Sequence, residues 1–240
     1  MASAKDPAAE TQAYANLPKR VLMGALLFLI SAVALVVAAK WAGGKLVDGG
    51  HSLSQETRSI IVSGTMVQVP DNMIRRSEAR RDGVRDKLDL YMVWPELVGY
   101  THDNRAAFNH MDDTHRLVMF SLEPRMISRD MSSRYDLVYR KLLSSQAVEG
   151  PAELLVYEFE AGSGFEDELL YVGLKGGKDP FVARCLKVSV ASDTFAPCER
   201  DVHLNEQLSL FYRFPRALLG EWRALDKGVV QKAQSLIGNQ

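Results

Sequence analysis

The run Val21–Ala39, VLMGALLFLISAVALVVAA, contains no charged side chain, and its reading decides the architecture of the chain. Its one hydroxyl, Ser31, can bond back to a carbonyl one turn earlier, so a helix here leaves no polar group unmet. At 1.5 Å per residue such a helix spans about 28 Å, close to the ~30 Å hydrocarbon layer of a bilayer. A soluble helix of this length normally keeps a polar stripe, and this run has none. Lys19 and Arg20 close one end, and Lys40 and Trp41 close the other, residue types suited to the two interfaces. Residues 21–39 therefore read as a transmembrane helix whose partner is the lipid bilayer.

The apolar run is longer than the roughly 7–15 residues of a secretory signal core, and it follows a long polar start. An uncleaved signal-anchor is the expectation, with processing after Ala39 as the alternative. Lys5, Lys19 and Arg20 precede the run, whereas Lys40 and Lys45 follow it. This small excess points to a cytoplasmic tail over residues 1–20 by the positive-inside rule.

Outward from the run, residues 40–57 hold four glycines and several small polar residues, the composition of a flexible linker. Residues 58–240 then form one domain. The whole chain has 240 residues, 25% of them charged and 47% hydrophobic, with a net charge of -1. That length fits one or two domains, and the composition excludes a disordered tail, a collagen-like repeat and a disulfide-dense mini-domain. The charge balance argues against nucleic acid as a partner, which usually demands a basic excess.

Cys185 and Cys198 are the only cysteines. Residues 181–190 have strand character, Ala191, Ser192 and Asp193 read as a turn, and a second extended piece follows. Cysteines flanking such a hairpin can meet across it, and closing a loop of about 14 residues stabilises by ~3 kcal/mol in the chain-entropy model. Two buried free thiols are the alternative. A bond would persist only in an oxidising compartment, so with the anchor it places the domain in the periplasm and the helix in the inner membrane.

Patterning within the domain is mixed. Residues 59–69 read as a strand ending at Pro70, and Asp71 as the N-cap of a short helix through Arg81, closed by Gly83. In residues 87–94, Leu88, Leu90, Met92 and Trp94 share one face of a strand. Residues 116–122 form another strand, and Ile127, Met131, Tyr135, Val138 and Leu142 recur at helical spacing over 128–143. Strands follow at 152–159, 168–174, 181–190 and 207–214. The clearest amphipathic helix closes the chain, with Leu218, Trp222, Leu225, Val229, Ala233 and Leu236 on one stripe and Pro215 at its first turn. The fold class is α+β, with a mainly antiparallel sheet and a C-terminal amphipathic helix.

Two stretches carry a resemblance. VPDNMIRRSEARRDG with KLDLYMVWPELVGY, within residues 69–100, and FYRFPRALLGEWRALDKGV, residues 211–229, resemble segments of uncharacterised membrane-anchored envelope proteins of alphaproteobacteria. The resemblance implies a bacterial inner-membrane protein, and it brings no activity and no functional residue with it.

Candidate chemistry is sparse. His102, His110, Asp113 and His115 are the ligand types that zinc or a similar ion takes. His110 and His115 are about 140° apart on a regular helix, however, so one helix cannot aim both at one ion. Arg75, Arg76, Arg80 and Arg81 form the densest basic run, able to grip the carboxylates of an acidic partner. Interleaved Glu78 and Asp82 equally suit a solvated helix face. The stretch beginning at Gly173 lacks the spacing of a phosphate-binding loop, and the sequence around Ser163 lacks the two glycines of a nucleophile elbow. No catalytic residue and no cofactor is therefore expected, and the oligomeric state stays open. The expected function is a single-pass inner-membrane protein whose periplasmic domain binds or positions another envelope component. The alternative is a metal-assisted periplasmic hydrolase built on the region from His102 to His115.

Overall fold

A computed structural model describes residues 21–39, 49–109, 115–144, 146–174, 179–191 and 194–238. The cationic flanks Lys5, Lys19, Arg20, Lys40 and Lys45, His110, Asp113 and the Ser192–Asp193 turn lie outside the described residues. The chain divides into two units, Met1–Gly50 and His51–Gln240. In the first, α1 spans Val21–Ala39, and its length and composition suffice to cross a membrane. Ser31 Oγ donates to the Leu27 carbonyl at 2.8 Å, the local bond its position calls for.

The second unit begins at His51 rather than at Arg58, where the composition changes. The His51 ring stacks on Tyr100 with centroids 4.6 Å apart, and its Nδ1 lies 3.0 Å from the Tyr91 hydroxyl. The carbonyls of Ser54 and Glu56 accept from the amides of Asn72 and Asp71. These bonds tie the approach to the first strand into the domain.

Alternating apolar residues build the sheets. β1 (Thr57–Val62) and β2 (Thr65–Pro70) form a hairpin, and β3 (Gly83–Arg85) runs parallel to β1 on its other side. β4 (Leu88–Val93) and β5 (Leu117–Pro124) open the large sheet, separated by the short helix α2 (Arg105–Asn109). After α3 (Met131–Arg134) come β6 (Val148–Glu149), β7 (Leu155–Glu158), β8 (Glu168–Gly173), β9 (Phe181–Leu186), β10 (Cys198–His203) and β11 (Leu208–Phe214). The chain closes on α4 (Trp222–Leu236). The large sheet has the strand order β4-β5-β11-β10-β9-β8-β7-β6, and all of its pairs are antiparallel. The fold is α+β.

The expected strand over 59–69 is two strands. Ser63 and Gly64 both have positive φ, as a tight two-residue hairpin turn requires, and the Ser-Gly dipeptide was its signal. The helix expected from Asp71 to Arg81 is instead two 3₁₀ turns, Asp71–Met73 and Ser77–Ala79. Asp71 does not cap a helix. It is buried, and both of its carboxylate oxygens accept from Arg58 at 2.8 Å. The helix expected over 128–143 shrinks to α3 and a 3₁₀ turn at Tyr139–Leu142. Asp130 caps α3 through the Ser133 amide, and Ser132 donates to the Pro180 carbonyl, so tertiary bonds displace regular helix there.

The main core lies between one face of the large sheet, the β1–β2 hairpin and α4. Leu88, Leu90, Met92 and Trp94 enter it as their alternation predicts, and so do Leu218, Trp222, Leu225, Val229, Ala233 and Leu236. At Gly173 the backbone passes so close to α4 that an added Cβ would stand 2.6 Å from the Trp222 ring. Cys185 and Cys198 are register partners in the β9–β10 ladder and are joined by a disulfide.

Candidate functional site

A strand turns alternate side chains to opposite faces, so the same periodicity that fills the core populates a second face of the large sheet. Register places Asp89, Ser121, Phe211 and Asp201 in one row across that face, from β4 through β5 and β11 to β10. The next row runs Tyr91, Met119, Arg213 and Glu199. Two smaller clusters cover its flanks. Tyr91, Val93 and Leu117 pack with Tyr100 and Phe108 at the β4–β5 end. Leu170, Val172 and Val182 pack with Met131, Tyr139 and Phe159 toward β8–β9.

A groove of about 270 Å³ lies against the first of these rows. Arg75, Arg76, Lys87 and Arg213 line it, together with Asp89, Ser121 and the apolar Met119 and Phe211. Asp89 is already engaged by Arg76 at 3.0 Å and Lys87 at 3.6 Å, and Lys87 also reaches Glu123 at 3.2 Å. Among the described residues Arg75 enters no ion pair. Ser121 is only 4% exposed, and its Oγ makes no hydrogen bond; Arg213 Nε, on the neighbouring strand, is likewise unbonded. An unmet buried polar group costs about 1–3 kcal/mol, so two of them beside one groove call for an explanation.

The other charged groups of this face are ion-paired within the domain, although Arg134 Nε, Arg184 Nε and Glu168 Oε2 are also buried without a hydrogen bond. Arg134 pairs with Asp201, and Arg184 with both Glu199 and Glu168. Burial pushes the carboxyls of Asp201 and Glu168 above their ordinary range despite these arginines. A larger cleft of about 600 Å³ beside α4 ends on Arg200 and Asp226, and these two are saturated by the protein itself. Arg200 donates to Asp226 at 2.8 Å, Ser132 Oγ at 3.0 Å and the Val182 carbonyl at 2.8 Å, while Tyr212 donates to Asp226 at 2.8 Å. Burial opposes the charge on Arg200, yet Asp226 more than offsets it and holds the guanidinium above its ordinary pKa. Burial and the same carboxylate push the Tyr212 hydroxyl well up.

Of the four arginines in the basic run, the structure brings Arg75 and Arg76 to the groove. Arg80 turns back to the carbonyls of Ile74 and Arg75, and Arg81 is exposed away from it. They do not share a helix face, because no regular helix forms there. Of the histidine and carboxylate set, His102 is exposed, and His115 is buried edge-on to Phe195 at 5.6 Å; the other two members lie outside the described residues. Among the described residues no three His, Cys, Asp or Glu side chains group as a metal site. Sequence reading passed over Ser121 and Arg213. The available signal was a hydroxyl and a guanidinium on the non-core phase of two largely apolar strands, which also carry Glu123 and Ser209 on that phase.

No family model matches the chain, and no curated protein matches it. Among solved structures it is similar to an immunity protein of the Stenotrophomonas maltophilia type IV secretion system, with 11% identity, a TM-score of 0.52, and coverage of 79% of this chain and 96% of that one. The iron-regulated outer-membrane lipoprotein FrpD of Neisseria meningitidis matches at 13% identity and a TM-score of 0.45, over 79% of this chain and 96% of that one. At such identity the first similarity establishes a shared fold: the sheet-and-helix unit of this chain has the architecture of that immunity protein.

Proposed function

We propose that the chain is a single-pass inner-membrane protein with a cytoplasmic N-terminus, whose periplasmic domain binds or positions another envelope component without catalysis. The observation that carries the reading is the combination, in one chain, of α1 with a disulfide across β9 and β10. The first meets the length and polarity demanded by a bilayer, and the second is a bond that oxidising compartments preserve. The solved structure that shares the fold is an immunity protein of a secretion system, and a binding role here accords with it. The resemblance of residues 69–100 and 211–229 to membrane-anchored envelope proteins supports the same address.

A periplasm-only reporter fused after Gln240 should be active and a cytoplasm-only reporter silent; the reverse pattern overturns the topology. A thiol count on the denatured, unreduced protein should find no reactive cysteine, and two would remove the compartment argument. Cross-linking in intact cells should capture one specific envelope protein, and its loss on altering the domain surface would identify the contact. Failure to capture any partner would sink the binding role.

A further inference from the structure

We infer that the groove between Arg75, Arg76, Lys87 and Arg213 receives a carboxylate side chain carried on an apolar stretch of a partner peptide, an inference that rests on the binding role above. Ser121 lies almost wholly buried at the groove with its hydroxyl unbonded, and Arg213 Nε is unbonded beside it. Register sets them on adjacent strands, with Phe211 opposite Ser121 and Arg213 opposite Met119, so both stand on the same face of the sheet. Both groups can donate a hydrogen bond, and the one carboxylate lining the groove is already held by Arg76 and Lys87. Positive charge is therefore left over on Arg75 and Arg213. An incoming carboxylate would supply the missing charge, and the terminal N–H groups of a guanidinium can meet it through a fork of two bonds; Ser121 Oγ and Arg213 Nε themselves have almost no accessible surface and mark the polar floor of the groove.

The remaining surroundings favour a carboxylate on a peptide stem. The volume of about 270 Å³ suits a side chain rather than a whole cofactor, and Phe211 and Met119 offer apolar contact to a stem. β4 is the edge strand of the large sheet, yet a peptide cannot simply add beside it here. Ile74 already bridges Leu90, and the Arg75 amide donates to the Asp89 carbonyl. Recognition at this place therefore runs through side chains.

The test uses the full chain in a neutral detergent and a fluorescein-labelled peptide of alternating Leu and Glu, read by anisotropy. A Leu and Gln peptide and inorganic phosphate serve as the two comparison arms. The Glu peptide should bind, with the Gln peptide weaker by about tenfold or more, as loss of a charge-assisted bond implies. Arg213→Met and Arg75→Met should each weaken the Glu peptide by about tenfold, whereas Arg81→Met, outside the groove, should leave it unchanged. Arg75 is exposed, so Arg75→Met keeps the test valid if Arg213→Met fails to fold. Equal binding of the two peptides, no binding of either, binding of phosphate alone, or equal weakening by Arg81→Met would each overturn the inference. If cells yield a specific partner whose capture Arg75→Met and Arg213→Met leave intact, the groove assignment fails while the binding role stands.

Discussion

Replacing Asp226 by alanine isolates the energetics of the most deeply buried charge pair. The side chains of Arg200 and Asp226 are 5% and 4% exposed, with Nε and Oδ1 2.8 Å apart. The same Oδ1 accepts from the Tyr212 hydroxyl at 2.8 Å. Asp226→Ala removes the carboxylate bonded to the guanidinium, leaving it hydrogen bonds to Ser132 and the Val182 carbonyl and the face of the Phe181 ring, and takes from Tyr212 the acceptor of its 2.8 Å bond. Breaking a buried pair on one side costs about 3–5 kcal/mol, because a charge remains without compensation. For a domain of this size each kcal/mol moves the Tm by about 2–4 °C, so the expected loss is roughly 6–20 °C. The triple variant Arg200→Met, Tyr212→Phe, Asp226→Leu removes both charges and the hydroxyl together. It should lose far less, since the cost of keeping the ions from water disappears with them. Thermal unfolding of the detergent-solubilised chain, followed through the near-ultraviolet signal of the buried tryptophans, measures both. An Asp226→Ala Tm equal to wild type would refute the reasoning. So would a triple variant as unstable as the single one, which would assign the loss to packing rather than to an orphaned charge.

The Asp71 carboxyl is held below its ordinary range, first by hydrogen bonds from Arg58. Its folded pKa is depressed, so its contribution is present above about pH 4, the unfolded value, and is lost as pH falls through the folded one. Asp71→Asn should flatten the acid limb of a Tm-against-pH curve, and an unchanged limb would exclude the pair as a source of acid sensitivity. Glu168 has the opposite sign: burial raises its pKa, so it favours folding below about pH 4, and that contribution is lost as pH rises through the folded value. Glu168→Gln should therefore raise the Tm at pH 7 and give no gain at pH 4, with Arg184 still paired to Glu199; a lower Tm at pH 7 would contradict this. Gly173→Ala would set a Cβ 2.6 Å from the Trp222 ring and 2.9 Å from Leu154, and overpacking of this kind costs about 1–3 kcal/mol. Denaturant unfolding should show that loss, and an unchanged midpoint would mean that α4 yields freely.

Elements with one strong period were legible. Leu88, Leu90, Met92 and Trp94 alternate and enter the core, and the stripe from Leu218 to Leu236 recurs every three or four residues and docks as expected, although its first turns, Arg216–Glu221, are 3₁₀ and the regular helix begins only at Trp222. Elements whose form rests on distant partners were not. Met131, Tyr135 and Leu142 keep helical spacing, but the bonds of Ser132 to Pro180 and of Arg134 to Asp201 hold the chain in shorter turns. Asp71 looks like an N-cap until Arg58 is known to face it. The groove was half visible: Arg75 and Arg76 belong to an evident basic run, whereas Ser121 and Arg213 are far from it in sequence.

What the sequence by itself determined is therefore local and additive. A run of apolar residues long enough for a bilayer and strict periodicity each act through neighbouring residues, so α1, strands such as β4 and β8, and α4 follow without knowledge of the rest, whereas the short β3 and β6 do not. The tertiary structure alone decided which second face of the sheet stays open, that Arg200 and Asp226 neutralise each other within the fold, and that an unbonded hydroxyl lies beside surplus guanidinium charge. Those outcomes depend on strand order and register, which bring together residues that local patterning leaves far apart.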